Sequence, residues 1–232
     1  MEIGYYDGIL SYGCIIISFL IVTIAQVTLR IVYAIYKKKE STNKMKGYEV
    51  AKAILQANDI NDVKVVKISG ELSDNFNNSN RTVSLSEDIY EGTSIASYAV
   101  AAHECGHVIQ YKDKYRPIAI RNKLVPIVNF GNTIGYLVMG IGLLSSILDL
   151  FILGIILLSF AVIFELVTLP CEFNASRRAK KELKRLNLIE DNETKGISVM
   201  LRAAAFTYVA GLFNSILQIF RLIFIFSNKK KK

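Results

Sequence analysis

The 232-residue chain is 52% hydrophobic, with a mean hydropathy of +0.34, which excludes an ordinary soluble domain. Its net charge of +8 is clustered beside apolar runs with no nucleic-acid recognition motif, which argues for a membrane protein's inner flanks and against a nucleic-acid binder. The three cysteines, Cys14, Cys105 and Cys171, are odd in number and form no CxxC pair, so a disulfide framework is excluded and a reducing compartment suits the soluble part.

In chain order, the first apolar run extends uncharged from Gly8 to Leu29, followed by Arg30 and then Lys37, Lys38 and Lys39. It is long enough to cross the roughly 30 Å of hydrocarbon in a bilayer. Glu2 and Asp7 stand ahead of it and no small-residue cleavage site follows, the reverse of a removable signal peptide. Residues 1–36 therefore read as a transmembrane anchor with its N-terminus outside and Lys37 onward inside.

Residues 37–123 read as a soluble α/β module. Val50, Ala51, Ile54 and Leu55 recur at helical spacing. Val63, Val65 and Ile68 suggest a strand by β-branched content, and Val83 and Leu85 alternate with Thr82, Ser84 and Ser86 as a half-buried strand should. Gly70 to Asn80, rich in Asn, Asp, Ser and Gly, reads as a loop. Thr93 or Ser94 caps a helix running to about Gln110. The expected order is helix, strand, strand, helix.

A second apolar region, Leu124 to Leu169, is interrupted at Asp149 and carries Glu165. Residues 124–169 read as two spans with a tight turn between Ser145 and Asp149. Basic residues flank both ends, from Lys112 to Lys123 before it and Arg177 to Arg185 after it, so both ends return inside. Residues 170–202 carry a further helix. Residues 203–232 hold a last apolar segment, Ala203 to Phe226, and a lysine tail, Lys229 to Lys232. A span there puts the tail outside against the positive-inside rule, so an interfacial helix is the alternative and the total is three or four spans.

His103-Glu104-Cys105-Gly106-His107 is an HExxH sequence on the expected helix. Residues four apart lie one above the other, so both imidazoles reach one zinc ion. Glu104 is placed to take the proton from a zinc-activated water and pass it to the leaving amine. The chain has only two histidines, and chance would place them so, with a glutamate after the first, in on the order of one chain in two thousand.

A catalytic zinc needs a third protein ligand and one open position. With no third histidine, the ligand must be a carboxylate or, less favoured, a cysteine such as Cys171, and Glu172 is the choice. It follows Pro170, suited to the first turn of a helix, and precedes the helical pattern Phe173, Ala179, Leu183, Leu186. Glu165 is the rival, though an acid within an apolar run suits a protein interior. Cys105 points off the ligand face and reads as a small buried filler, while Cys171 adjoins Glu172.

The chain resembles the YugP-type bacterial neutral zinc metallopeptidases along nearly its whole length. The resemblance is carried by Gly47 to Ala51, Gly70 to Asp74, Leu85-Ser86, Ala101 to Glu104, Thr168 to Pro170, Glu172 to Ala179 and Leu201 to Ala204. It implies an α+β zincin-like catalytic module, within 37–123, embedded in a mainly α-helical membrane protein. More distantly it is similar to HtpX-like membrane proteases, where a hydrophobic hairpin also separates HExxH from the glutamate ligand, a parallel that maps onto Glu172. Two positions depart from the family: Asn174 stands where Asp is usual, which puts a supporting role there in doubt, and Asn75 where His is frequent.

The expected function is a membrane-bound endopeptidase, multi-pass in the cell membrane, with its catalytic module cytoplasmic and one Zn2+ per chain. It would cut membrane-associated peptides or proteins, with Thr82 to Ser86 as the edge strand that pairs with extended substrate. A non-catalytic zinc-stabilised scaffold and an intramembrane-cleaving protease are the alternatives. Glu87, Asp88 and Glu91, close upstream of the motif, argue against the latter.

Overall fold

The structure, a computed structural model, describes the backbone over residues 2–229 and side chains over 10–225. The charges of Glu2 and Asp7 and the lysine tail at 229–232 lie outside the described side chains. The elements run α1 (Glu2–Lys37), α2 (Gly47–Gln56), β1 (Lys64–Ile68), β2 (Asn75–Asn77), β3 (Thr82–Ser86), α3 (Glu87–Tyr90), α4 (Ile95–Lys112), α5 (Arg116–Ser145) and α6 (Leu148–Arg185). A 3-10 turn at Asp191–Glu193 then leads into α7 (Thr194–Lys229). The chain divides into two compact units, one of residues 1–26, 119–169 and 207–232, the other of 27–118 and 170–206.

The second unit holds the sheet, in the order β1-β3-β2. β1 lies parallel to β3 from Lys64↔Thr82 to Ile68↔Ser86, and β2 pairs antiparallel with β3, Phe76 opposite Val83. The strand expected at the edge, Thr82 to Ser86, is therefore central and paired on both sides, and β2 is the edge beside it. β2 lies inside the stretch expected to be loop. Its sequence, Asn-Phe-Asn, is too short to show alternation, and Phe76 anchors it by an edge-on contact with Tyr111 of α4, ring centroids 5.5 Å apart.

Behind the sheet, α2 buries Val50, Ala51, Ile54 and Leu55 against α4, as its spacing requires. α4 starts where Ser94 Oγ accepts the Ser97 N–H at 3.2 Å, which satisfies an otherwise orphan donor. It is buried on nearly all sides, largely by Ala96, Ala99, Ala101, Ala102 and Cys105. Small residues let neighbouring helices approach its axis. Ala179 and Leu183 of α6 and Ile197, Met200 and Leu201 of α7 complete this core.

The Pro170 expectation needs correction. α6 is continuous from Leu148 to Arg185 with Pro170 in its interior, so Glu172 is not in a first turn and gains nothing from a helix N-terminus. Composition changes at 123/124, 169/170 and 202/203 while α5, α6 and α7 run on through those positions.

In the first unit, α5 and α6 form the hairpin, with Ser146 at the turn in the left-handed region (φ 58). They pack through small residues: a Cβ at Gly154 would meet the Met139 Cβ at 2.5 Å and the Gly135 oxygen at 2.8 Å, the close contact that glycine permits between apolar helices. Among the described residues four helices are long and apolar enough to cross a membrane: Leu10–Lys37, Arg116–Ser145, Leu148–Arg185 and Asp191–Ile225. Phe19, Phe130, Leu137, Leu144 and Phe213 stand exposed along them, an arrangement suited to lipid contact rather than water.

Candidate metal centre

α4 presents His103 and His107 one turn apart, their ring centroids 4.8 Å from each other and their planes nearly perpendicular (87°). α6 brings Glu172 to them. Its Oε2 lies 3.2 Å from His103 Nε2 and 3.5 Å from His107 Nε2. One ligand atom from each of the three falls within 4.8 Å of the others. The close approach depends on Gly106, between the histidines: a Cβ there would lie 2.5 Å from the Ala175 carbonyl oxygen. Only glycine lets α6 this near.

The far nitrogens of both rings are held. Ser176 Oγ lies 3.2 Å from His103 Nδ1, and Gln110 Oε1 lies 3.1 Å from His107 Nδ1. The amide orientation of Gln110 is fixed because its Nε2 donates to the Cys171 carbonyl at 2.7 Å and to Asn174 Oδ1 at 3.1 Å. Its oxygen must therefore face His107, whose Nδ1 donates to it. That leaves the lone pair of a neutral imidazole on Nε2, facing a carboxylate oxygen. Two electron-rich atoms so placed need a cation between them, either a proton or a metal ion. Two imidazole nitrogens and one carboxylate make a donor set suited to zinc with an open position. The residues present fit the ion.

The electrostatics agree. Burial works against a charge on His107, yet Glu172 and Glu104 beside it outweigh that and hold its pKa above the ordinary imidazole value. Glu104 itself is buried. Asp74, half-buried, is pushed up to about 6 by burial and further by Glu104, against hydrogen bonds from the Ser86 N–H (2.7 Å) and hydroxyl. Cys105 is fully buried with its thiol 3.6 Å from the Ala51 carbonyl, and burial pushes its pKa up. It is the inert filler expected.

The group contains His103, His107 and Glu172 and leaves out the rival Glu165, which belongs to the other compact unit and lines a cavity there with Asn129, Asn132, Asn214 and Gln218. Asn174, doubtful as a departure from the family, keeps a supporting role. Its neutral amide oxygen accepts from both Gln110 and Arg178 Nε (2.8 Å). Gln110, Ser176 and Gly106 had no role in the sequence reading. Gln110 is three residues after His107 and Ser176 four after Glu172, spacings that place each on its neighbour's face.

No solved structure matches the chain. A family signature described as "Putative neutral zinc metallopeptidase" matches residues 11–227. A relative from Bacillus subtilis (strain 168), named "Putative membrane protease YugP", is 42% identical over 193 residues, covering 83% of this chain and 86% of that protein. With the signature spanning nearly the whole chain and a relative 42% identical over 83% of it, the chain belongs to this family of neutral zinc metallopeptidases.

Proposed function

We propose that the chain is a membrane-bound, zinc-dependent endopeptidase of zincin-like fold that cleaves membrane or membrane-adjacent proteins at the cytoplasmic face. The observation that carries this is the convergence of His103, His107 and Glu172, with both far nitrogens hydrogen-bonded so that each Nε2 is aimed inward. These three side chains would hold one zinc per chain. Zinc, when bound, supplies a Lewis acid that polarises the scissile carbonyl and makes a water more acidic. Glu104, next to His103 and largely shielded from solvent, accepts the proton of the attacking water and returns it to the departing amine. The free edge of β2, Asn75–Asn77, replaces β3 as the strand that receives an extended substrate backbone. α4 is not among the four helices apolar enough to span, which supports cleavage outside the hydrocarbon. The positive-inside pattern supports a cytoplasmic catalytic module.

The test is a protease assay on detergent-purified wild type and Glu104→Gln, with zinc content measured alongside. Gln hydrogen-bonds water but cannot take its proton, so activity should fall on the order of a hundredfold to ten-thousandfold while zinc stays bound. Full activity in Glu104→Gln would end the hydrolytic reading.

A further inference from the structure

A second pocket in the unit that carries the sheet has no part in the chemistry above. It has a volume of about 380 Å³ and is lined by residues of α4 and α6, by Asp113 just after α4 and by Asn58 beyond α2. Its charged walls are Lys112, Asp113, Arg177, Arg178, Lys181 and Glu182. The two acids are already engaged. Asp113 pairs with Arg178, while Glu182 accepts from Asn58 Nδ2 at 2.8 Å and pairs with Arg185, which lies outside the pocket. Lys112 donates to a neutral group, the Asn58 carbonyl. Arg177 and Lys181, one turn apart on α6, have no counter-ion within 4.0 Å among the described residues. Three cations without a balancing carboxylate thus converge on one concavity.

All three cations are exposed to solvent, so their mutual repulsion is screened, but a concave surface lined by one sign of charge concentrates anions. Guanidinium and ammonium groups around a pocket this size match a phosphate, whose tetrahedral oxygens can accept in pairs from the planar fork of Arg177 and singly from the two lysine ammonium groups. Arg178 is not free to serve, being tied to Asp113 and Asn174, and it forms a fixed wall.

We infer that this pocket binds a phosphate group, borne by an anionic lipid headgroup or by a free phosphate. The sequence favours the lipid: Lys112 precedes the apolar run that begins at Leu124, and Arg177 and Lys181 follow the one that ends at Leu169. Basic clusters next to spans recognise anionic headgroups.

The experiment uses the full zinc-loaded chain in an uncharged detergent, with the thermal midpoint followed as phosphatidylglycerol, phosphatidylcholine or inorganic phosphate is added. Phosphatidylglycerol should raise the midpoint saturably and phosphatidylcholine should not. Arg177→Gln/Lys181→Gln should weaken that response on the order of tenfold or more with zinc content unchanged, and Arg177→Lys should retain most of it. Lys38→Gln/Lys39→Gln, which removes the same charge elsewhere, should leave it intact. An equal response to inorganic phosphate, lost in the same double variant, would uphold the site and name free phosphate as its source. A response that survives Arg177→Gln/Lys181→Gln, or one lost equally with Lys38 and Lys39, would overturn the proposal. So would no response to either ligand.

Discussion

Replacing Gly106 by alanine tests whether the metal centre depends on the closeness of α4 and α6. The added Cβ would lie 2.5 Å from the Ala175 carbonyl oxygen and 3.1 Å from the carbonyl carbon and Cα. These are backbone atoms and cannot rotate away, so the helices must separate by roughly half an ångström or more to reach ordinary contact. Overpacking of this kind costs about 1–3 kcal/mol, offset in part by alanine's helix-propensity advantage of up to ~1 kcal/mol. The metal should report the change more sharply than stability does. Glu172 precedes Ala175 by nearly one turn, so a shift of α6 carries its carboxylate away from both imidazoles. Metal–ligand distances tolerate only about 0.2 Å, and a disturbance on this scale should weaken zinc on the order of tenfold to a hundredfold. Competition against a chromogenic chelator measures this, with the thermal midpoint read with and without zinc. Gly140→Ala is the control, because nothing lies within 4 Å of its Cβ position, and it should leave zinc affinity unchanged. Wild-type affinity in Gly106→Ala would refute the claim that this contact sets the ligand geometry.

Glu172→Ala should lose zinc and activity together, while Glu165→Gln keeps its zinc; metal analysis giving the reverse pattern would exchange the two assignments. The raised pKa of Asp74, about 6 against an ordinary 3.8, makes its contribution to stability fully present below about pH 4 and lost as pH rises through 6. Asp74→Asn should therefore gain thermal stability relative to wild type between pH 5 and pH 7, and a relative loss over that range would contradict the burial argument. In a chain stripped of its native cysteines, single cysteines at positions 44 and 184 should be shielded from an impermeant thiol reagent in intact cells. One at Ser146 should be labelled from outside, and outside labelling at 44 would invert the topology.

What the sequence revealed was whatever is written locally. The HExxH pair is legible because helical spacing alone puts both imidazoles on one side, and the hairpin because length and apolarity are enough to announce a span. Thr93 and Ser94 marked the start of α4 by their capping chemistry, and Ser94 is the one that caps it. The parts that stayed hidden depend on contacts distant in sequence. Pro170 suggested a helix start because proline inside a helix costs ~3 kcal/mol or more. α6 nonetheless continues through it, carrying apolar surface on one side and the tight Ala175–Gly106 contact on the other. β2 was hidden because three residues flanked by asparagines carry no period, and only Tyr111 gives Phe76 a reason to be there. Judged by charge alone, Asn174 is a weakened position. Its partners, Gln110 and Arg178, are both donors, and an amide oxygen accepts from donors without needing a charge.

The arrangement also explains why one helix contact governs the whole site. α4 supplies two ligands and the proposed base, but it cannot orient its own imidazoles unaided. His103 is held by Ser176, which is on α6. His107 is held by Gln110, whose own orientation is set by Cys171 and Asn174, again on α6. The third ligand is on α6 as well. His103 and Glu172 are separated by 69 positions in sequence, an interval that includes the entire apolar hairpin. A metal ion held by all three would therefore close that loop as a crosslink does, and its binding energy would count toward docking α6 on α4. Removing zinc should loosen this docking first and leave the β1–β3 pairing, which has no ligand, comparatively protected from hydrogen exchange. Equal loss of protection in β3 and α6 on chelation would mean that the unit melts as one, and that the ion supports the whole core rather than this single contact.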